Sequence, residues 1–324
     1  MHLTAKNKIS IVIPAYKVEN HIGSVLSTIP DWVENIIVVD DASPDCTETV
    51  VREIMEKDSR ITYIKHQKNL GVGGAMLTGF SKALSGDVDI VVKVDGDDQM
   101  DLTYLPQLLS PLMRNQADYV KGNRFVDLQS LRVMPVIRRV GNLFLSFLVK
   151  AATGYWNIFD PTNGFIAARK EILLLLPLEK IDRTFYFETS MLANLYLINA
   201  KVADVSIPAR YGNEVSNLNI KRVIFQFPLK ILKTLFNRIL FKYFLYDFNM
   251  VSIYLLIGFP MFLFGMIFGV LKWIEYFKQG IPAPTGTVIL PTMTVLLGIQ
   301  FLLSAIQIDL ARVPSKPISV NEKN

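Results

Sequence analysis

Cysteine is nearly absent from this chain: Cys46 is the single thiol among 324 residues. One thiol forms no intramolecular disulfide and builds no thiolate metal site, so the chemistry belongs to a reducing compartment or ignores redox. Histidine is scarce too, with His2, His21 and His66 alone. No G-x-S-x-G elbow occurs, which leaves Ser/His/Asp hydrolysis without its parts. There is no G-x-x-x-x-G-K-[ST] phosphate loop, no internal repeat and no low-complexity tract. Charge of one sign is not in large excess: 34 Lys and Arg against 29 Asp and Glu give +5, and 51% of the residues are hydrophobic. That balance excludes a disordered chain or an acidic tail. A pI near 9.1 raises the question of nucleic acid. The basic residues gather near apolar spans, however, and no zinc-finger, basic-zipper or RNA-recognition signature is present, so no nucleic-acid partner is expected. At the N-terminus the apolar run Ile9 to Pro14 is too short for a signal-peptide core, and the first part of the chain is expected to stay unexported.

What is present is uneven along the chain. Mean hydropathy is +0.32 although charged residues make up 19%, and the excess apolarity lies after residue 250. Val251 to Ile274 and Val288 to Leu310 are each long enough, at roughly 20 apolar residues, to cross a hydrocarbon core about 30 Å thick. Their connection, Glu275 to Thr287, holds one basic residue, Lys278, whereas the flanks carry Lys230, Lys233, Arg238, Lys242, Arg312, Lys316 and Lys323. The positive-inside tendency then puts both ends of this hairpin, and the large domain, on the cytoplasmic side of an inner (plasma) membrane crossed twice. Between residues 225 and 248, basic residues interleave with Phe, Leu and Ile. This pattern reads as amphipathic helices at headgroup level, or as an ordinary surface helix packed on a core. The expected organisation is a domain over 1–224, juxtamembrane helices over 225–248 and a membrane hairpin with a short tail over 249–324.

The first part alternates short β-branched runs with helical patterns. Ile9 to Ile13, Ile36 to Val39, Ile61 to Ile64 and Ile90 to Val94 read as buried strands. His21 to Ile29, Thr47 to Lys57 and Gly74 to Leu84 have apolar residues at helical spacing. Such alternation predicts an α/β fold with a mostly parallel sheet and helices on both faces. A further strand end is expected at Val120 to Phe125, a long helix over Met134 to Thr153, a turn and short strand from Asp160, a helix near Phe187 to Asn199 and a strand over Val202 to Ile207. Ligands of open sheets bind beyond the carboxyl ends of the strands. Three strand ends are chemically loaded: Pro14-Ala15-Tyr16, Asp40-Asp41-Ala42-Ser43 and Asp95-Gly96-Asp97-Asp98.

The last of these is the densest carboxylate cluster in the chain. Placed after an apolar strand, it calls for a cation, and alternate carboxylates suit Mg²⁺ or Mn²⁺ coordinated to a diphosphate; a solvated acidic turn is the simpler reading. Asn69 to Ala75 is glycine-rich but fails as a dinucleotide fingerprint, since the third glycine of G-x-G-x-x-G falls on Met76. Its glycines admit either backbone approach to a nucleotide or tight packing under the following helix. Arg124, Arg138 and Arg139 suit phosphate by their planar forks, or form a solvated basic face. Asp160, before Pro161 and a glycine turn, is a candidate functional carboxylate or a turn former, and Glu188 is the other carboxylate expected to point inward.

Taken in order, Ile13-Pro14-Ala15-Tyr16, Val38 to Ser43, Asn69 to Ala75, Val94 to Gln99 and Gly122 to Phe125 make the chain resemble glycosyltransferase family 2 over roughly residues 8 to 215. With the C-terminal hairpin it is similar to the polyprenyl-phosphate glycosyltransferases, the bacterial undecaprenyl-phosphate subgroup above all. The resemblance implies a GT-A fold and inverting transfer of a hexose, best matched by UDP-glucose, from a nucleotide sugar to a polyprenyl phosphate. It also implies that Pro14, Tyr16 and Asp40 hold base and ribose, that Asp95 and Asp97 serve the ribose or diphosphate and the metal, and that Gln99 lies beside sugar or metal. Arg124, Arg138 and Arg139 would hold the acceptor phosphate, Asp160 would match the carboxylate proposed as catalytic base, and a tetramer follows by analogy. Lys17-Val18 departs from the frequent Asn-Glu after P-x-Y and leaves Glu19 as the nearest acid; Asn217 stands where relatives often place Lys. A phosphate monoester has a second pKa of about 6, so the acceptor is already ionised at neutral pH. Asp160 is therefore expected to orient an arginine or stabilise the oxocarbenium-like centre. The rival readings are transfer to a lipid-linked oligosaccharide or other membrane acceptor, and an inactive membrane scaffold.

Overall fold

β1 (Ile9–Ala15) turns Ile11 and Ile13 to one face and Val12 to the other, and all three are fully buried. A strand covered on both sides needs helices on both sides. The computed structural model describes residues 7–124, 136–208 and 220–318, with backbone alone at 136–140, 142 and 220–225. Along them follow α1 (Ile22–Ser27), β2 (Asn35–Asp40), α2 (Thr47–Met55), β3 (Ile61–Lys65), α3 (Val72–Leu84), β4 (Ile90–Lys93), α4 (Leu105–Met113) and β5 (Tyr119–Asn123). Then come α5 (Val136–Thr153), β6 (Ile166–Arg169), α6 (Lys170–Leu175), α7 (Phe187–Leu197), β7 (Val202–Ser206) and α8 (Ile220–Leu240). Ile11 and Ile13 pack with Val25 and Leu26 of α1 and Leu105 and Leu108 of α4. On the opposite face a Cβ at Gly79 of α3 would collide with the Val12 side chain, so helix and strand approach closely there.

The seven strands lie in the order β3-β2-β1-β4-β6-β5-β7. β1 pairs in parallel with β2 and β4, β2 with β3, and β5 with β7; β6 alone runs against its neighbours β4 and β5. The sheet is thus mostly parallel, as expected, and the reversal of β6 matters for the site. The carboxyl ends of β1, β2, β4, β5 and β7 share one edge with the amino end of β6, which brings the turn before β6 to the same edge.

Of the two readings of the glycine turn, packing accounts for the glycines. Gly71 enters α3 at φ 85°, a conformation open to glycine at little cost. A Cβ on Gly71 would lie 2.5 Å from the Arg183 carbonyl oxygen, one on Gly73 would collide with the Asp182 carbonyl, and Gly74 N donates to Arg183 O at 2.9 Å.

The chain divides into two compact units, Met1–Leu235 with Pro314–Asn324, and Phe236–Val313. In the first, Phe227 and Ile231 of α8 are buried against Val149, Ala152 and Tyr186, while Leu229 and Leu232 are 70% and 60% exposed. The part of α8 in this unit therefore has one apolar side packed on a core and another open.

In the second unit a π-helical turn (Phe241–Tyr246) follows α8 and leads to α9 (Met250–Gln279) and α10 (Thr285–Ala311). Both long helices are apolar enough to cross a membrane, and little of either is buried. Asn249 caps α9 in a reciprocal box with Ser252, and Gly280 ends it in the left-handed conformation, the usual device for stopping a helix. A buried bidentate pair, Arg238 Nη1 to Asp309 Oδ1 at 2.7 Å and Nη2 to Oδ2 at 3.1 Å, ties α8 to α10, and Tyr243 donates to the same carboxylate. Removing one member of such a pair strands the other charge, so Arg238→Met is expected to destabilise this unit by about 3–5 kcal/mol. Thermal melting of the detergent-solubilised protein measures it, and the double change Arg238→Met with Asp309→Leu is expected to recover most of the loss.

Candidate active site

Each loaded strand end contains or directly precedes a residue held at positive φ: Lys17 at 57°, Ala42 at 59° and Asp98 at 60°. Non-glycine residues hold such angles only where the surroundings enforce them. The enforcement is visible. Lys17 N donates to Ser43 Oγ at 3.1 Å, Glu19 Oε2 accepts from Cys46 N at 2.7 Å, and Asp98 Oδ2 accepts from Ser24 Oγ at 2.8 Å. The ends of β1 and β2 are thereby sewn together, with Pro14 paired to Val39 and Tyr16 39% exposed at the rim.

Asp40 is fully buried, its Oδ1 accepting from Ser43 N at 2.7 Å and its Oδ2 from the Tyr63 hydroxyl at 2.5 Å. Burial and the Asp40 carboxylate together push the Tyr63 pKa up, so the phenol stays a donor. Asp41, to which the sequence analysis gives no role, organises the neighbouring loop. It accepts from Leu70 N and Gly71 N, each at 2.7 Å, and meets His66 Nδ1 at 2.7 Å.

At the end of β4 the expectation of a cation is met for Asp95 from within the chain. Lys93 Nζ lies 2.5 Å from Asp95 Oδ1 and 3.2 Å from Glu188 Oε1, with Lys93 1% exposed. Burial by itself lowers a lysine pKa, but Asp95 and Glu188 outweigh it and hold the Lys93 value above the ordinary one, so the ammonium stays charged. Strand alternation points Lys93 into the sheet face beneath the cluster, and a buried ammonium is tolerable only with such partners. Asp97 Oδ1 accepts from Gln99 N at 3.2 Å. Among the described residues no three His, Cys, Asp or Glu side chains converge as a metal cage. The donor set, two carboxylates one residue apart, instead fits a hard cation that arrives with a diphosphate and keeps its remaining sites for phosphate oxygens and water.

At the end of β5, Arg124 meets Asp160. Nε lies 2.7 Å from Oδ2, Nη2 3.2 Å from Oδ1, and the Arg124 backbone N 3.3 Å from Oδ2. Asp160 is fully buried, while the arginine side chain is 41% exposed. A fork-to-fork pair fixes the plane of the guanidinium as well as its position. Arg138 and Arg139 lie on α5, and their side chains are outside the described residues, as is Asn217. The residues 160–165 thus come beside Asp95 through the reversed strand β6, and Glu188 points inward from α7 as expected.

Two more charged side chains in this region have no role in the sequence reading. Lys121 on β5 is fully buried and donates to Asn163 O at 2.7 Å; burial lowers its pKa to about 8 against the pull of Glu188 and Asp160. The legible signal of Lys121, as of Lys93, is a lysine inside an apolar strand, Val120-Lys121-Gly122 and Val92-Lys93-Val94. Asp204 on β7 accepts from Phe159 N at 2.5 Å, one residue before Asp160, and burial raises its pKa to about 6. In the fold Asp204 holds its proton up to about pH 6, whereas an unfolded carboxyl loses it near pH 4, so stability falls across that interval and the cost is complete above it. Asp204→Asn removes the titration and keeps an acceptor for Phe159. Its melting advantage over the parent is expected to grow from pH 4 to 6 and then level, at up to about 3 kcal/mol. A difference independent of pH contradicts the assignment.

Comparisons with known proteins agree with this geometry. Residues 10–175 match the model of "Glycosyl transferase family 2". The UDP-N-acetylglucosamine–dolichyl-phosphate N-acetylglucosaminyltransferase of Methanococcus voltae is 33% identical over 185 residues, 53% of this chain and 73% of that protein. The dolichol-phosphate mannosyltransferase of Pyrococcus furiosus is 31% identical over 213 residues, 63% of this chain and 56% of that protein. In fold, the chain is similar to glucosyl-3-phosphoglycerate synthase from Mycobacterium tuberculosis, solved with UDP, at a TM-score of 0.53 and 22% identity over 72% of this chain and 80% of that one. Strand-end carboxylates, a GT-A-like α/β sheet and a family match over half the sequence agree: the chain belongs to glycosyl transferase family 2 and is a glycosyltransferase.

Proposed function

We propose that this glycosyltransferase moves a hexose from a nucleotide sugar onto a polyprenyl phosphate at the cytoplasmic face of a membrane, with inversion at the anomeric carbon. The observation that carries the reading is the Arg124–Asp160 pair at the same sheet edge as Asp95 and Asp97. An anion-binding fork then stands beside the carboxylates of the donor end. Pro14, Tyr16, Glu19 and Asp40 are assigned to the nucleoside, Asp95 and Gln99 to the ribose, diphosphate or sugar, and Asp97 with Asp95 to Mg²⁺ or Mn²⁺. That cation, when bound with the diphosphate, supplies Lewis acidity for the charge that develops on the departing β-phosphate oxygen.

Arg124 holds the acceptor phosphate in line with the anomeric carbon, together with Arg138 and Arg139, and such positioning is a large share of the rate for a nucleophile that arrives ionised. Asp160 fixes Arg124 rather than removing a proton. A membrane acceptor is further supported by exposed apolar residues: Leu143, Phe144 and Phe147 of α5 are 66%, 63% and 57% exposed, and Phe159, the neighbour of Asp160 in sequence, is 63% exposed and accepts from Ser146 Oγ of α5. Withdrawing a polyprenyl chain from lipid costs about 0.8 kcal/mol per CH₂, so the reaction is held at headgroup height. The two apolar helices α9 and α10 then act as the hairpin and residues 225–248 as its interfacial approach. Both close relatives, by name, act on dolichyl or dolichol phosphate.

The donor proposed is UDP-glucose. The relatives' sugars, N-acetylglucosamine and mannose, put UDP-N-acetylglucosamine and GDP-mannose in the same test. Purified protein is incubated with each labelled donor, undecaprenyl phosphate and Mn²⁺. The expected result is organic-extractable, acid-labile, alkali-stable label from one donor. Label that appears only on a lipid-linked oligosaccharide favours the rival acceptor, and no transfer with any donor favours the scaffold. Light scattering of the same preparation tests the tetramer.

A further inference from the structure

β4 and β5 are separated in the sheet by β6, yet the register aligns Lys93 with Ile166 and Ile166 with Lys121. Residues aligned across a sheet share a face. Two lysines, at most 1% exposed, therefore stand one strand apart on one face, with Asp204 of β7 aligned to Lys121 and Glu188 of α7 beside Lys93. Burying like charges so near each other is costly, and apolar side chains of similar length would fill the volume without that cost. What the ammonium groups do is grip the segment that precedes β6. Lys121 Nζ donates to Asn163 O at 2.7 Å and Lys93 Nζ to Gly164 O at 3.3 Å. The segment has little freedom otherwise: Asn163 Oδ1 accepts from Phe165 N at 2.9 Å, and a Cβ at Gly164 would collide with Lys93 Nζ and Asp95 Oδ2. Its first residue is Asp160. The ammonium that holds its far end is the one bound to Asp95.

We propose that Lys93 is a positioning residue that sets the spacing between the donor-side carboxylate Asp95 and the turn carrying Asp160, with Lys121 fixing the adjacent carbonyl of that turn. The proposal rests on the functional reading above, in which Asp95 serves the donor and Asp160 the arginine that holds the acceptor. It assigns unequal consequences to the two lysines. Lys121 touches the turn alone, so its loss misplaces Asp160 and leaves the donor end intact. Lys93 touches both, so its loss disturbs both. Glu188 braces Lys93 from α7.

The test uses the full chain in detergent, with Lys93→Met, Lys121→Met and Glu188→Gln compared with the parent. Affinity for UDP or GDP in Mn²⁺ is read by titration calorimetry, kcat and acceptor KM by transfer to undecaprenyl phosphate, and folding by melting. Misplacement by about 1 Å costs on the order of 10²-fold in rate, so Lys121→Met is expected to lose about that in kcat while nucleotide affinity and acceptor KM stay within about threefold. Lys93→Met is expected to lose a similar factor in kcat and, in addition, about tenfold in nucleotide affinity, the scale for removing a support of a binding group. Glu188→Gln, which keeps its volume, is expected to lower kcat about tenfold and decides the matter should a lysine variant fail to fold. A folded Lys93→Met, or a Glu188→Gln, that matches the parent in both readouts overturns the proposal alone. A parent protein that binds neither UDP nor GDP overturns the functional reading and the proposal with it.

Discussion

Asp160→Asn is expected to lower kcat by roughly two to three orders of magnitude while nucleotide affinity stays near that of the parent. The carboxylate is fully buried and both its oxygens face the Arg124 fork. An amide of the same shape keeps one acceptor but turns an N–H toward the guanidinium and removes the charge that holds it. Breaking a buried pair from one side costs about 3–5 kcal/mol, and with Arg124 41% exposed the low end, about 3 kcal/mol, applies; each 1.36 kcal/mol that falls on the transition state is tenfold in rate. The donor end is supported by other residues, which is why nucleotide binding is spared. A second readout separates orientation from proton removal. With an acceptor already ionised at neutral pH, the solvent isotope effect on kcat is expected to be near unity in the parent. A large isotope effect that disappears in Asp160→Asn contradicts the role given to this residue and makes it a base.

Asp97→Asn has the second largest expected effect, and it falls at the other end of the site. Asp95 already shares an oxygen with Lys93 at 2.5 Å, so the negative charge that distinguishes a metal-bound diphosphate from a free one comes chiefly from Asp97. A carboxylate that ligates a hard cation contributes through charge, which the amide lacks. The parent is expected to bind nucleotide more tightly in Mn²⁺ than in chelator, and Asp97→Asn to lose most of that difference, with kcat/KM for the donor down about a hundredfold or more. Calorimetric titrations with and without Mn²⁺ measure it. An unchanged metal dependence in the variant removes Asp97 from the metal site.

How much of this is legible in the sequence follows from the range of the interactions. Strands of the first half are runs of β-branched apolar residues, and β1 to β4 lie within one or two residues of their expected limits because that signal is local. The acidic strand end is equally local: Asp95, Asp97 and Asp98 are neighbours in sequence, and alternate residues after a buried strand have few other uses. What binds these residues is not local. Lys93 reaches Gly164 across 71 residues, Lys121 reaches Asn163 across 42, and Arg124 reaches Asp160 across 36. Those contacts exist because β6 enters between β4 and β5 in reverse, and a four-residue strand, Ile166–Arg169, carries no sign of its neighbours or direction. The lysines were visible as interruptions of apolar strands, yet only the register shows that they share a row.

The glycine turn makes the same point from the other side. Asn69 to Ala75 admitted two readings because a glycine without a Cβ serves a nucleotide and a neighbouring backbone alike. The deciding contact, Gly74 N to Arg183 O at 2.9 Å, spans more than a hundred residues. The turn is still tied to the strand end, since Leu70 N and Gly71 N donate to Asp41, next to Asp40.

The central claim is that the donor diphosphate lies at the end of β4, with the acceptor's arginine across from it. A structure determined with Mn²⁺ and a nonhydrolysable UDP-sugar tests it most directly. The account predicts the ion on Asp97 and the diphosphate, the nucleoside against Tyr16 and Asp40, and the sugar turned toward Arg124 and Asp160. A nucleotide and ion seated elsewhere on the protein, with Asp97 in contact with neither, would contradict it.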